Sequence, residues 1–165
     1  MKTLFIGGIK SGKSRTAEAY TLNLADKKPY YLATTEFFDT EMQAKVAEHK
    51  KKRGDKFITL EEPLKLYEKL QHYKGETILV ECVSMWINNM LYHKREEQEI
   101  LLELEKLTTL PLNLIFVHND VSCSVVSKNA LVREFVDISG RASQLLASQC
   151  NEVYQVTAGL KVKLK

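Results

Sequence analysis

One glycine-rich stretch near the start of the chain combines residue types that bind phosphate. Residues 3–14 read TLFIGGIKSGKS, and their second half fits the pattern G-x-x-x-x-G-K-[ST]. In such a loop, backbone N–H groups surround the phosphates, Lys13 approaches the β and γ phosphates, and the Ser14 hydroxyl ligates Mg²⁺. We call this segment the phosphate loop; it comprises Gly7, Gly8, Ile9, Lys10, Ser11, Gly12, Lys13 and Ser14. It predicts a nucleoside triphosphate site.

A carboxylate is the second candidate group. The apolar run Ile78–Val80 ends in Glu81, and many proteins with a phosphate loop place an acid there to bind Mg²⁺ or its waters. Glu81 could equally be a surface residue at the end of a strand. The phosphate loop favours the metal-binding interpretation, with Ser14 and Glu81 as the metal-binding pair.

A histidine followed by four cations is the third candidate. If residues 40–53 form a helix, His49 shares one face with Lys45 and with Lys52 or Arg53. Neighbouring cations disfavour protonation, so the imidazole would stay neutral and able to attack phosphorus. From spacing alone, the alternative that His49 belongs to a solvated polar face is favoured.

Short apolar runs alternate with longer helical patterns, and this alternation must position those groups. The predicted strands are Leu4–Ile6, Tyr30–Ala33, Ile78–Val80, Leu114–Val117 and Val153–Val156. The predicted helices are Lys13–Leu24, Thr40–Arg53, Leu64–Gln71, Ser84–Tyr92, Arg95–Leu107 and Leu131–Ala147. This order predicts an α/β fold with a mostly parallel sheet covered on both faces. The alternating tail Gly159–Lys165 predicts an exposed antiparallel edge strand.

Composition narrows the class of protein. The 165 residues suit one domain (residues 1–165), with 44% hydrophobic and 27% charged residues and a net charge of +3. We expect no membrane span, no nucleic-acid partner and a cytoplasmic location, because no long apolar run, leader-like segment or extended basic surface is visible. Cys82, Cys123 and Cys150 are widely spaced, which favours reduced thiols over a disulfide or zinc site.

The chain also resembles a known family along almost its whole length. It is similar to the bifunctional adenosylcobinamide kinase/adenosylcobinamide-phosphate guanylyltransferases of cobalamin synthesis. The matching segments are GGIKSGKSRTAE, YLATT, EMQAKVAEHKKKRG, LEEP, ILVECVSMWINNML, HND, LVREFVDISGR and AGLKVKLK. The order and spacing of these segments make the resemblance specific.

The resemblance implies a RecA-like fold and a homotrimer that acts on adenosylcobinamide and its phosphate. It implies phosphorylation of the aminopropanol hydroxyl, followed by transfer of GMP from GTP through a histidine intermediate, with ATP as another possible phosphate donor. The family's H-[KR]-x-x-R pattern falls on His49 and Arg53, which reverses the earlier preference and makes His49 the expected nucleophile. By the same matching, the phosphate loop is completed as a GTP site by Ala33, Thr34, Thr35, Lys50, Lys51, Lys52, Arg53, Glu61 and Glu81.

Two alternatives remain at this point. A GTP-binding switch would carry an N-K-x-D motif, and the nearest segment, His118-Asn119-Asp120, lacks both the lysine and the spacing. A small-molecule kinase without guanylyltransferase activity would share the phosphate loop and Glu81 but would not need a histidine flanked by cations. His118 follows a predicted strand, but the sequence assigns it no role.

Overall fold

The computed structural model describes residues 1–36, 54–122 and 125–165. Its strands are β1 (Lys2–Gly7), β2 (Tyr30–Ala33), β3 (Ile58–Glu61), β4 (Thr77–Glu81), β5 (Asn113–Asn119), β6 (Glu152–Thr157) and β7 (Leu160–Lys163). Its helices are α1 (Lys13–Leu24), α2 (Leu66–Leu70), α3 (Val83–Tyr92), α4 (Glu97–Thr109) and α5 (Ala130–Gln149). A short 3-10 turn spans Gly54–Lys56.

The strands form one sheet in the order β3-β2-β4-β5-β1-β6-β7. Strands β1 to β6 are parallel to their neighbours, while β7 pairs antiparallel with β6 at the edge. All four residues of β7 are exposed. The predicted α/β class, the mostly parallel sheet and the antiparallel edge strand are therefore confirmed.

Side chains of the central strands alternate between two hydrophobic cores. In β4, Ile78 and Val80 pack on one face of the sheet, while Leu79 packs on the other. The first core is covered by α2 to α5 and contains the fully buried Trp86. The second contains Ala17 of α1. Continuous apolar strands are expected where both faces are covered, so the strand pattern and the helix placement agree.

Two helices begin later than the periodicity predicted, for reasons visible in their hydrogen bonds. Helix α4 begins at Glu97 rather than Arg95, because Glu96 and Glu99 form a capping box at its start. Helix α2 begins at Leu66 rather than Leu64. The Leu64 N–H donates to the Glu62 carboxylate and its carbonyl accepts from Trp86 Nε1, so both groups bond outside the helix.

One observed strand was not predicted, and one predicted helix cannot be compared. Strand β3 pairs with β2 but has mostly exposed side chains, so its four residues lack the apolar run that marked the other parallel strands. The predicted helix Thr40–Arg53 lies almost entirely in the range 37–53, outside the described residues. Within the described ranges, no helix is long and apolar enough to cross a membrane.

Candidate nucleotide-binding site

The carboxyl ends of the parallel strands bring most of the predicted site residues to one edge of the sheet. In register, Ala33 of β2 lies between Glu61 of β3 and Glu81 of β4. On the other side of β5, Gly7 of β1 pairs with Asn119. Ligands of open parallel sheets bind at this edge, so the phosphate loop and the two carboxylates share the expected location.

The backbone of the phosphate loop depends on glycine at two positions for different reasons. Gly12 precedes α1 with φ 94°, a left-handed conformation that disfavours other residues. At Gly7, an added Cβ would lie 2.3 Å from the Val156 carbonyl oxygen of β6. Close packing of β1 against β6 therefore requires glycine at this position, whether or not phosphate is bound.

The polar side chains of the phosphate loop are mostly sheltered. Lys13 is 6% exposed, and its ammonium donates to the Gly8 carbonyl at 3.2 Å. Among the described residues, the buried Ser11 hydroxyl oxygen has no hydrogen-bond partner. A buried hydroxyl without a partner is costly, and phosphate oxygens would satisfy it. Ile9, by contrast, is 77% exposed, and Lys10 is also exposed.

Ser14 and Glu81 lie together although 67 positions separate them. The Ser14 hydroxyl donates to Glu81 Oε1 at 2.8 Å, joining the first turn of α1 to the end of β4. A hydroxyl and a carboxylate are hard oxygen ligands of the kind that Mg²⁺ prefers. The donor set therefore fits a magnesium ion beside the bound phosphates.

The Ala33-Thr34-Thr35 segment does not present three equivalent side chains. Thr34 is fully buried, and its hydroxyl donates to the Cys82 carbonyl and accepts from the Cys82 N–H, both at 2.9 Å. Its own N–H donates to the Glu81 carbonyl at 3.1 Å. The Thr34 side chain thus fixes the backbone after β4, while the Thr35 side chain is only half-buried.

The basic half of the predicted site lies outside the described residues. This concerns His49, Lys50, Lys51, Lys52 and Arg53. Their assignment therefore remains a prediction from the sequence.

A hydrogen-bond network around a buried histidine lies at the carboxyl end of β5, and the sequence did not predict it. His118 is fully buried in β5, with Nδ1 2.9 Å from the Ser84 hydroxyl and Nε2 3.1 Å from the Ser139 carbonyl. The Ser139 carbonyl can only accept, so the neutral imidazole carries its proton on Nε2 and Nδ1 accepts from the Ser84 hydroxyl. Ser84 Oγ in turn accepts from the Asn119 N–H at 2.8 Å. Burial lowers the pKa of His118 to about 4.

This network positions the end of β5, which is hydrogen-bonded to the start of the phosphate loop. Asp120, two residues after His118, donates its backbone N–H to the Gly7 carbonyl at 2.9 Å. A neutral histidine held by α3 and α5 therefore fixes the end of β5 against the start of the loop. The signal in the sequence was weak, because both serine partners lie more than twenty positions from His118.

The two cysteines among the described residues, Cys82 and Cys150, are both buried. Burial raises the pKa of the Cys82 thiol to about 12, and the pKa of Cys150 is also raised to about 12 by burial. Both are free thiols, and neither is poised to act as a nucleophile at neutral pH; Cys123 lies outside the described residues.

Comparison with known proteins gives matches along the whole chain. A bifunctional adenosylcobalamin biosynthesis protein, CobP, from Pseudomonas aeruginosa is 36% identical over 170 residues, covering 100% of this chain and 98% of the relative. The bifunctional adenosylcobalamin biosynthesis protein CobU from Escherichia coli strain K12 is 33% identical, with 100% of both chains covered.

A solved ATPase from the type III secretion system of pathogenic bacteria shares the fold. It is 11% identical, with a TM-score of 0.52 over 98% of this chain and 56% of that chain. This likeness supports the α/β fold with its mostly parallel sheet. The model of the family described as cobinamide kinase / cobinamide phosphate guanyltransferase matches residues 3–164. The chain therefore belongs to the cobinamide kinase / cobinamide phosphate guanyltransferase family.

Proposed function

We propose that this protein phosphorylates adenosylcobinamide and then transfers GMP from GTP to adenosylcobinamide phosphate. The family match and the names of full-length relatives support both activities. The observation that carries the proposal in the structure is the 2.8 Å contact between Ser14 and Glu81 beside the phosphate loop. It joins a hydroxyl and a carboxylate, oxygen ligands of the kind that Mg²⁺ prefers, at the edge where the phosphates of a nucleotide would lie.

In the proposed site, the phosphate loop holds the phosphates of GTP, and of ATP if ATP serves the kinase step. Lys13 and the loop N–H groups would balance the charge of these phosphates. Ser14 and Glu81 would hold Mg²⁺, which neutralises phosphate charge when bound. The buried Ser11 hydroxyl, which lacks a partner among the described residues, supports phosphate binding at this position.

The nucleoside part of GTP is assigned to the neighbouring strand ends. Ala33 and Glu61 are the last residues of β2 and β3, beyond Glu81 as seen from the phosphate loop, and Thr35 follows β2 by two residues. The cations Lys50, Lys51, Lys52 and Arg53 would complete this part of the site, as the family pattern implies. Thr34 contributes through its backbone position, since its hydroxyl is bonded to Cys82.

His49 is proposed as the nucleophile of the guanylyl transfer. One imidazole nitrogen forms a bond to the α-phosphorus of GTP as the bond to the bridging oxygen breaks, and pyrophosphate leaves. An oxygen of adenosylcobinamide phosphate then attacks the same phosphorus, the P–N bond breaks and the imidazole is restored. In this sequence of steps, the phosphate loop and Lys13 stabilise pyrophosphate as a leaving group.

The proposal extends to the state and location of the protein. We expect a homotrimer of single-domain subunits in the cytoplasm, as the family resemblance implies. We expect no nucleic-acid partner, because the net charge is only +3. Sedimentation at micromolar concentration should give a trimer, and a monomer there would contradict this part of the proposal without touching the chemistry.

Incubation with GTP labelled at the α-phosphate tests the function. The protein should acquire a label that is labile in acid and stable in alkali, as expected for a phosphoramidate. His49→Ala should abolish labelling, whereas the matched variant His72→Ala, which removes an exposed histidine of the described chain, should retain it. Full labelling of His49→Ala would sink the assignment of the nucleophile.

A further inference from the structure

A buried amide on helix α3 bonds to two of the strand ends that line the proposed site. Asn89 is fully buried, and its Nδ2 donates to the Thr34 carbonyl at 2.6 Å and to the Pro63 carbonyl at 3.1 Å. Thr34 directly follows β2, and Pro63 lies two residues after the end of β3. One side chain therefore joins the backbone segments that leave two adjacent parallel strands.

Two further hydrogen bonds extend this connection. Trp86, one turn before Asn89 on α3, donates its Nε1–H to the Leu64 carbonyl at 2.8 Å. Thr34 in turn holds Cys82, the residue after β4, through its hydroxyl. The backbone after β2, β3 and β4 is thus fixed as one unit by side chains of α3 and Thr34.

Packing alone does not explain an asparagine at this position. The neighbouring buried residues of α3 include Trp86, Ile87 and Met90, all apolar members of the same core. Among the described residues, Asn89 Oδ1 is buried without a hydrogen-bond partner. An amide that leaves its oxygen unsatisfied costs stability relative to an apolar side chain of similar size, so its value lies in the two carbonyls that its nitrogen holds.

We propose that Asn89 is a positioning residue for the nucleoside part of the GTP site. It sets the spacing between the segment at Thr34 and Thr35 and the segment from Glu61 to Pro63. Both recorded bonds of its amide go to these segments, whereas the phosphate loop is held by β5 and β6. Loss of Asn89 should therefore weaken contacts to guanosine more than contacts to the phosphates. This inference rests on the proposed function, since it needs GTP to be the ligand.

Paired binding measurements separate the two halves of the site. Calorimetry with Mg²⁺ should compare GTP, supplied as its α,β-methylene analogue so that pyrophosphate cannot leave, with inorganic tripolyphosphate, which reports on the phosphate loop alone. In Asn89→Ala, GTP affinity should fall about tenfold, or about 1.4 kcal/mol, while tripolyphosphate affinity should stay within about twofold of the wild type. Asn88→Ala is the matched control: Asn88 is the adjacent, exposed asparagine of the same helix, and neither affinity should change.

A second variant covers the case in which Asn89→Ala does not fold. Asn89→Leu keeps a side chain of similar size among the apolar Trp86, Ile87 and Met90, so no cavity is left, but it removes the amide that bonds the Thr34 and Pro63 carbonyls. Asn89→Leu should show the same selective loss of GTP affinity.

The outcomes distinguish the inference from the proposed function. Equal loss of both ligands, or no loss of either, in a folded Asn89→Ala or Asn89→Leu variant would overturn the positioning role. Failure of the wild-type protein to bind GTP while it binds tripolyphosphate would instead overturn the proposed function.

Discussion

The buried histidine of β5 predicts a specific dependence of stability on pH. His118 is enclosed by Ser84 of α3 and Ser139 of α5, and burial lowers its pKa to about 4. In the unfolded chain, the imidazole should titrate near its ordinary value of about 6.5. Between these two values, the unfolded state binds a proton that the folded state does not.

The sign and size of the effect follow from this difference. Because the unfolded state binds more protons in this window, the free energy of unfolding decreases as the pH falls from about 6.5 to about 4. The slope contributed by one group is at most about 1.4 kcal/mol per pH unit, and the whole window corresponds to a loss of about 3 kcal/mol. Above pH 6.5, the contribution of His118 should be constant.

Urea unfolding of the wild type and of His118→Gln at several pH values between 4.5 and 7.5 measures the effect. Carboxylates that titrate in the same range are common to both proteins, so the difference between the two unfolding free energies isolates His118. That difference should shrink as the pH falls. His72→Gln, which replaces an exposed histidine, should follow the wild type in parallel. A difference between wild type and His118→Gln that does not change with pH would refute the reasoning.

Three other substitutions test the phosphate loop and its neighbours. Lys13→Ala should lower GTP affinity and both catalytic activities, because a buried cation is lost from the phosphate site; unchanged GTP binding in calorimetry would mean that the loop was misinterpreted. Glu81→Gln keeps an oxygen that accepts from the Ser14 hydroxyl but removes the charge of the carboxylate. The factor by which Mg²⁺ increases GTP affinity should therefore fall about tenfold or more, given about 1.5–3 kcal/mol for a charged hydrogen-bond partner. Gly7→Ala places a Cβ against the Val156 carbonyl and should reduce the free energy of unfolding by about 1–3 kcal/mol even without nucleotide; an unchanged melting temperature would contradict this.

The parts of the fold that the sequence predicted are those with strong local signals. Helix α1 has the predicted bounds, Lys13–Leu24, because the phosphate-loop motif marks its start and no Gly or Pro interrupts the twelve residues that follow Gly12. The central strands were visible as apolar runs, since both faces of a parallel sheet are buried. Strand β3 was missed because its four side chains are mostly exposed, so only its pairing with β2 identifies it.

The candidate site likewise has features that the sequence could predict and features that depend on contacts between distant residues. The phosphate loop and Glu81 were predictable, because a motif and a strand end place them at the same edge of the sheet. The separation of roles between Thr34 and Thr35 was not, because it depends on a hydrogen bond to Cys82, 48 positions away. The need for glycine at Gly7 likewise arises from Val156 of a distant strand, which no local pattern records.

A pulse-chase experiment with two labelled forms of GTP tests the central claim most directly. The protein is incubated with GTP labelled at either the α- or the γ-phosphate, freed of nucleotide, and then given adenosylcobinamide phosphate. Transfer of GMP through His49 predicts that the α label stays on the protein, the γ label does not, and the bound α label moves to the corrinoid. Retention of the γ label, or an α label that adenosylcobinamide phosphate does not remove, would contradict the account.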